Sequence, residues 1–157
     1  MALSREKRAL AAPDRDDATA GAVWDALERI EDPCSVASGA PAGLVSMGLV
    51  RTVDVEGPPE SARVDVTLCI TEPGCLMAAV FKKAAERDLA DLPGVAEVEV
   101  QVDHGYIWDP SDMAEPYRER LKRARAERLE RMKARMASSA KAQSRARASD
   151  DAERPAR

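Results

Sequence analysis

The feature that most constrains the fold of this chain is a strict alternation of apolar and polar residues in two short segments. Residues 62–70 and residues 95–102 both alternate with a period of two, and their apolar members are Val64, Val66, Leu68, Ile70, Val98, Val100 and Val102. Such a period is typical of a β-strand that buries one of its faces. We therefore expect two strands, each with one apolar face that must be covered by other elements.

A third strand is predicted over residues 47–55, which alternate as well. Val53 and Val55 fall on one side of this strand, and Val50 falls on the other. The turn-forming residues 57–60 (GPPE) follow it directly. The strand over residues 47–55 and the strand over residues 62–70 should therefore pair as a hairpin.

Helical spacing of apolar residues predicts a first helix over residues 22–31. The pair Asp32-Pro33 should stop it, because the residue before a proline is pushed out of the helical region. Residues 34–46 are rich in small and turn-forming side chains and are expected to form a loop.

A second helix is predicted over residues 73–91, with a buried stripe made of Leu76, Met77, Val80, Phe81, Ala84 and Leu89. A third should start from a cap at Ser111 or Asp112 and run to about Met136. Its apolar residues do not keep one stripe throughout. We expect its first turns to pack on the body and the rest to project or to meet a partner.

The order helix, strand, strand, helix, strand, helix predicts an α+β fold: a three-stranded sheet with helices packed on one face, plus a C-terminal basic helix. We expect one domain over residues 21–113 and the basic helix over residues 114–137. Residues 1–20 show no apolar period, and residues 138–157 hold no large apolar side chain. Both segments are expected to be disordered.

The charge is divided unevenly along the chain. Residues 1–113 hold 10 Lys/Arg against 21 Asp/Glu, a net of −11, whereas residues 114–157 hold 14 against 7, a net of +7. Nucleic-acid binding is not expected of the basic part, because no aromatic residue follows Tyr117 to stack on bases. Docking on an acidic partner or neutralisation within the protein fits it better.

The composition also indicates the compartment. No run of apolar residues is long enough to span a membrane, and the first residues lack the apolar region of a secretory signal. We therefore expect a cytoplasmic protein whose three cysteines, Cys34, Cys69 and Cys75, are reduced thiols available for chemistry.

Cys75 is the strongest candidate for a functional residue. Pro73 suits the first position of a helix, where its missing N–H is not needed. Cys75 would then lie in the first turn, where free N–H groups and the helix dipole favour the thiolate that binds metals. Gly74 beside it would let a ligand or a partner backbone approach closely. The alternative is that Cys75 is a small buried hydrophobic residue.

The other candidates are weaker. Cys34 follows Asp32-Pro33 and could fold beside Cys75 as a second thiol, but a spacing of 41 residues carries no metal-ligand signature. Cys69 lies inside a strand and is interpreted as a packing residue. His104, which follows the last strand, is interpreted as structural or merely exposed. The sequence contains no phosphate-binding glycine loop, HExxH motif or CxxC pair.

Six pieces in order resemble a family of small iron–sulfur assembly factors. The family includes the Suf-associated assembly protein, the phenylacetate-oxygenase accessory protein and the eukaryotic factor that targets cytosolic iron–sulfur clusters. The pieces are the helix ending at 32–33 (DP), then 47–50 (MGLV), 64–68 (VDVTL), 71–75 (TEPGC), 92–95 (LPGV) and 108–113 (WDPSDM). Each is weak alone, but their order and spacing together are specific.

The resemblance implies a role in assembling or delivering iron–sulfur clusters, with Cys75 at the family's reactive-cysteine position. It implies that Asp32, Thr71, Glu72, Pro73 and Gly74 shape the site. Two departures stand out: Cys34 replaces the glutamate usual after Asp-Pro, and Leu76 replaces the proline usual after the reactive cysteine. A thiol at position 34 is a softer ligand for iron than a carboxylate. Cys75 and Cys34 are therefore the candidate metal ligands.

Two functional hypotheses follow. The first is a non-catalytic maturation factor that transiently holds iron or a cluster on Cys75, with or without Cys34, and contacts a client apo-metalloprotein or a cluster carrier. The alternative is an interaction module or chaperone for a metal-dependent oxygenase, which docks through its basic helix and uses no thiol chemistry. A thiol enzyme has little support, because no general base is placed near Cys75 by sequence. A homodimer is compatible with each hypothesis.

Overall fold

The computed structural model describes residues 18–72 and 74–153. The chain forms, in order, α1 (Ala18–Arg29), α2 (Pro33–Ala37), β1 (Val50–Glu56), β2 (Ala62–Cys69), α3 (Met77–Ala90), β3 (Val95–Asp103), a 3₁₀ turn (Pro110–Asp112) and α4 (Glu115–Glu153). Across the described residues, none of the helices is both long and apolar enough to cross a membrane.

The three strands form one mixed sheet in the order β1-β2-β3. β1 pairs with β2 as an antiparallel hairpin, whereas β3 runs parallel to β2 and is reached through α3. The helices α1 and α3 pack on one face, where the predicted valines and leucines of β2 and β3 join the core. The predicted α+β fold is confirmed.

The prediction of which β1 residues face the core was wrong for Val50. Val50, Val53 and Val55 all join or contact the core, although Val50 was placed on the side opposite to the other two. The register shifts between Val50 and Thr52, so that Arg51 bulges out of the ladder. A bulge adds one residue and reverses which side chains face inward from that point.

The loop expected over residues 34–46 is also partly wrong, because Pro33–Ala37 form the short helix α2. Asp32 caps it with an extended backbone, and Pro33 occupies its first turn. The same pair that ends the first helical segment therefore begins another, as aspartate at a cap and proline just inside it favour.

The stripe predicted for the central helix was wrong at two positions. Leu76 is 90% exposed and Val80 is 52% exposed. The helix starts at Met77, not near residue 73, and its buried residues are Ala78, Phe81, Ala85 and Leu89. This set lies on the face opposite to Leu76 and Val80, because residues three and four apart share a helix face.

The start of α4 is fixed to the segment that follows α2. The Ala114 N–H donates to the Ser46 carbonyl at 3.0 Å, and Arg120 donates to the Pro41 carbonyl at 2.7 Å. Tyr117 and Leu121 are buried. The expectation that the first turns pack on the body is confirmed.

The rest of α4 projects from the body, since the side chains of residues 125–144 are exposed. The helix continues to Glu153, beyond the end expected near Met136. The predicted division into a domain, a basic helix and disordered ends stays a prediction, and residues 1–17 and 154–157 lie outside the described part of the chain.

Candidate functional site

The segment before α3 forms a tight turn that presents Cys75. The Cys75 N–H donates to the Glu72 carbonyl at 3.2 Å, and Gly74 has a φ of +83°, a conformation that favours glycine. The Ala78 N–H in turn donates to the Cys75 carbonyl at 3.2 Å. The turn therefore holds the backbone of Cys75 from both sides.

The sequence indicated that Cys75 lies in the first turn of the helix. In the structure it lies just before the helix. The cap position is Leu76, which provides no side-chain hydrogen bond, and the first helical residue is Met77. The cause is the turn at Gly74, which delays the start of the helix. Cys75 is half-buried, while Thr71, Glu72 and Gly74 beside it are exposed. Pro73 lies outside the described residues.

The capped start of α2 forms the second part of the site. Asp32 is only 5% exposed, and its Oδ2 accepts a hydrogen bond from the Ser35 N–H at 2.9 Å. Ser35 Oγ donates to the Asp32 carbonyl at 2.6 Å and accepts from the Ala42 N–H at 2.9 Å. This buried network fixes the loop after α2. Cys34, the residue directly before Ser35, is left exposed to solvent.

The structure brings Cys34 and Cys75 into electrostatic range of each other. The Asp32 carboxylate raises the pKa of the Cys34 thiol, partial burial raises it further, and the Cys75 thiol and the Glu72 carboxylate act in the same direction. Each group that shifts the Cys34 pKa through its charge is therefore negative when ionised.

Negative charges around a thiol are offset when a cation binds nearby. Two thiolates near two carboxylates repel each other, and a metal ion removes this repulsion while it displaces the thiol protons. Thiolates are the ligands that iron–sulfur clusters use. Within the described ranges, however, no group of three or more His, Cys, Asp or Glu side chains is arranged to hold a metal ion. The two thiols can therefore supply only part of the ligands that a metal ion or an iron–sulfur cluster needs.

The two remaining candidates lie elsewhere. Cys69 is buried, its Sγ lies 3.6 Å from the Gly48 carbonyl, and burial raises its pKa to about 12. It is the packing residue that the strand pattern predicts. His104 is exposed in the turn after β3, which agrees with its interpretation as an exposed loop residue.

An apolar rim was missed by the sequence analysis. Val36 from α2, Leu76 at the cap of α3 and Val80 from α3 are large apolar side chains that stand exposed. The buried Ser35 network was missed as well. A Ser three residues after Asp in Asp-Pro-x-Ser is a signal for it, since that spacing matches a helix start.

Comparison with known proteins gives this geometry a context. A family described as iron–sulfur cluster assembly protein matches residues 21–102. The chain belongs to this family. The match includes Cys34 and Cys75 and ends before α4.

One relative has a name that agrees with the family, and two solved structures are similar to this chain. The Fe–S protein maturation auxiliary factor YitW of Bacillus subtilis (strain 168) is 31% identical over 88 residues, which cover 56% of this chain and 74% of YitW. A domain of unknown function from Bacillus anthracis has a similar solved structure, with a TM-score of 0.55, 26% identity, and coverage of 67% of this chain and 92% of that domain. A conserved hypothetical protein from Thermotoga maritima has a TM-score of 0.49 and 27% identity, over 63% of this chain and 89% of its own.

Proposed function

We propose that this protein is an accessory factor that holds iron or an iron–sulfur cluster briefly on Cys75 and Cys34 and passes it to a client apo-metalloprotein or a cluster carrier. The observation that carries the proposal is that the two thiols, which come from separate segments of the matched region, lie close enough for the charge of Cys75 to raise the pKa of Cys34. The family and the name of its Bacillus subtilis relative support a role in cluster maturation.

Two thiols favour transfer over storage. A structural tetrahedral site or a cluster normally uses four protein ligands, and this pair supplies half of them. The remaining ligands would come from the partner or from solution. Because Cys34 is exposed and Cys75 is half-buried, a second protein can reach both sulfurs. In this proposal the protein is a carrier and not an enzyme, since its cargo leaves unchanged.

Loading of the site is tied to proton release. The raised pKa of Cys34 keeps this thiol protonated at neutral pH, so that a metal must displace its proton. Cargo binding should therefore strengthen as the pH rises. The same feature protects the thiol from adventitious reaction while the site is empty, because the thiolate is the reactive form.

The decisive experiment is anaerobic reconstitution of the full-length protein with ferrous iron and sulfide. Bound iron and the visible absorption of the cluster are measured after desalting for the wild type, Cys34→Ala and Cys75→Ala. Cys69→Ala is the matched control, because its thiol is buried away from solvent. We expect Cys75→Ala and Cys34→Ala to lose most of the cargo and Cys69→Ala to keep it. A Cys75→Ala variant that binds as much as the wild type would contradict the proposal.

A second candidate function is favoured by the exposed surface of α4: an interaction module that docks through this helix and uses no thiol chemistry. The two candidates predict opposite results in a deletion strain. If the thiols matter, Cys75→Ser fails to restore maturation of the client. If only docking matters, Cys75→Ser restores it fully, whereas charge reversal at Arg128, Arg131 and Arg135 abolishes it.

A further inference from the structure

The projecting part of α4 carries two parallel stripes. The basic stripe consists of Arg128, Arg131 and Arg135, and the apolar stripe consists of Leu129, Met132 and Met136. Spacings of three, four and seven residues place each set on one side of the helix. The two stripes adjoin, because the three arginines and the two methionines line the same shallow surface depression.

The apolar stripe is open to water along its whole length. Leu129, Met132 and Met136 are 45%, 53% and 66% exposed. Residues 125–144 would form about 30 Å of helix at 1.5 Å per residue. A solvated helix gains nothing from a row of large apolar side chains, and an exposed apolar patch with a polar rim is typical of an interaction surface.

A surface of opposite charge lies on the open face of the sheet. The acidic sheet face has six carboxylates, at Asp54, Glu56, Asp65, Glu97, Glu99 and Asp103. Arg63 lies among them and forms ion pairs with Asp65, Glu97 and Glu99 at 2.6–2.9 Å. The face therefore keeps an excess of negative charge.

Three of these six acidic residues form one row across all three strands. Asp54 pairs in register with Asp65, and Asp65 pairs with Glu99. Carboxylates directly opposite each other destabilise a sheet. A shallow cleft of about 90 Å³ lies over this row. The arrangement disfavours the isolated domain and favours a cation-bearing surface placed over the sheet.

We propose that the basic stripe of one copy docks on the acidic sheet face of a second copy, in a reciprocal two-fold dimer. Within one chain the two surfaces are not joined, because both stripes of α4 and the acidic residues Asp54, Glu97 and Glu99 are exposed. Reciprocal docking closes the assembly at two copies and buries two equivalent patches. It also covers the second face of the sheet with a helix. The proposal does not depend on the thiol site.

The contact is mainly electrostatic, so it must respond to salt. The Debye length is about 30 Å at 0.01 M ionic strength and about 3 Å at 1 M. Sedimentation velocity of the full-length protein should show a dimer at the low value and a monomer at the high value. A wild type that stays monomeric at both values overturns the proposal.

Charge reversal provides the sharper test. The stripe variant (R128E/R131E/R135E) and the sheet variant (D54K/E56K/E97K/E99K) should each dimerise at least about tenfold more weakly than the wild type, as the loss of a few ion pairs predicts. Mixed one to one, they should dimerise again, because each basic surface then meets an acidic one. Failure of the mixture to associate overturns the proposal.

A matched control separates position from net charge. The variant R123E/K133E/K141E changes the charge of the helix by the same amount but away from the basic stripe, and it should dimerise like the wild type. If it weakens the dimer as much as the stripe variant, the docking surface is wrong. If M132Q/M136Q abolishes the dimer while both charge-reversed variants keep it, the helices meet each other and the sheet is not the partner.

Discussion

Replacement of Asp32 tests whether the start of α2 builds the site. The buried carboxylate caps this helix through the Ser35 N–H at 2.9 Å. Its charge also raises the pKa of the Cys34 thiol. Asp32→Ala removes the carboxylate that caps the helix, whereas Asp32→Asn keeps the shape and an oxygen that can cap it. Asparagine and aspartate are about equally good caps.

The magnitude follows from the burial of the partner. Loss of a cap costs about 0.5–2 kcal/mol, and a buried N–H left without an acceptor costs about 1–3 kcal/mol. These two values describe the same lost bond, so that about 2 kcal/mol is expected for Asp32→Ala. For a folded unit of this size, each kcal/mol lowers Tm by about 4–8 °C, which gives a decrease of about 8–16 °C.

The assay is urea and thermal unfolding followed by tryptophan fluorescence. Trp24 is buried in the core and Trp108 donates to the Met47 carbonyl at 3.0 Å, so both report on the domain and not on the projecting part of α4. Asp32→Asn should lie within about 0.5 kcal/mol of the wild type, since both residues cap equally well. Unchanged stability in Asp32→Ala, or an equal loss in both variants, would refute the capping role.

Three further predictions follow from the same structure. Gly48→Ala should lower the free energy of unfolding by more than about 1 kcal/mol, because a Cβ at this φ of +69° would lie 2.2 Å from a backbone carbonyl oxygen before α4; Gly21→Ala, with open space around it, is the control in the same urea titration, and an equal effect would contradict the clash. Asp32→Asn should lower the pKa of the Cys34 thiol and speed its alkylation by iodoacetamide at pH 8, measured by peptide mass spectrometry; an unchanged rate would mean that Asp32 does not raise this pKa. Cys69, with a pKa of about 12 in the fold against a usual 9.0, should stay unmodified at pH 9 until the protein unfolds, and its contribution to stability should be lost as the pH rises from about 9 towards 12, because the unfolded thiol ionises first; rapid alkylation in the native protein would contradict this.

The sequence was sufficient for the elements whose apolar pattern decides their burial. The strands, their hairpin and the stripe of α1 follow from period and turn residues, because those signals are local. The bulge at Arg51 could not be predicted in this way, since an extra residue in a strand leaves the composition unchanged and only reverses the alternation. The parallel pairing of β2 with β3 depends on the chain crossing over through α3, which no single segment encodes.

Cys75 and Cys34 were proposed from the sequence as site residues, and their role stays a prediction. The geometry around them was not predicted, since the start of α3 was misplaced because Pro73 was given the role of a helix start. The φ of +83° at Gly74 instead closes a turn before Cys75. The distance between the two thiols depends on where the fold places α2 relative to this turn, and α2 itself was interpreted as loop. Tertiary contacts, not propensity, place these sulfurs.

The hydrogen bonds around α2 have a consequence for the evolution of position 34. The buried residues Asp32, Ser35 and Ala42 keep the short helix in place through hydrogen bonds in which the side chain of Cys34 takes no part. The exposed residue between them can therefore exchange a carboxylate for a sulfur, or for other side chains, with little loss of stability. A single mutation can therefore place a different metal ligand at this position, while the hydrogen bonds that hold α2 stay intact.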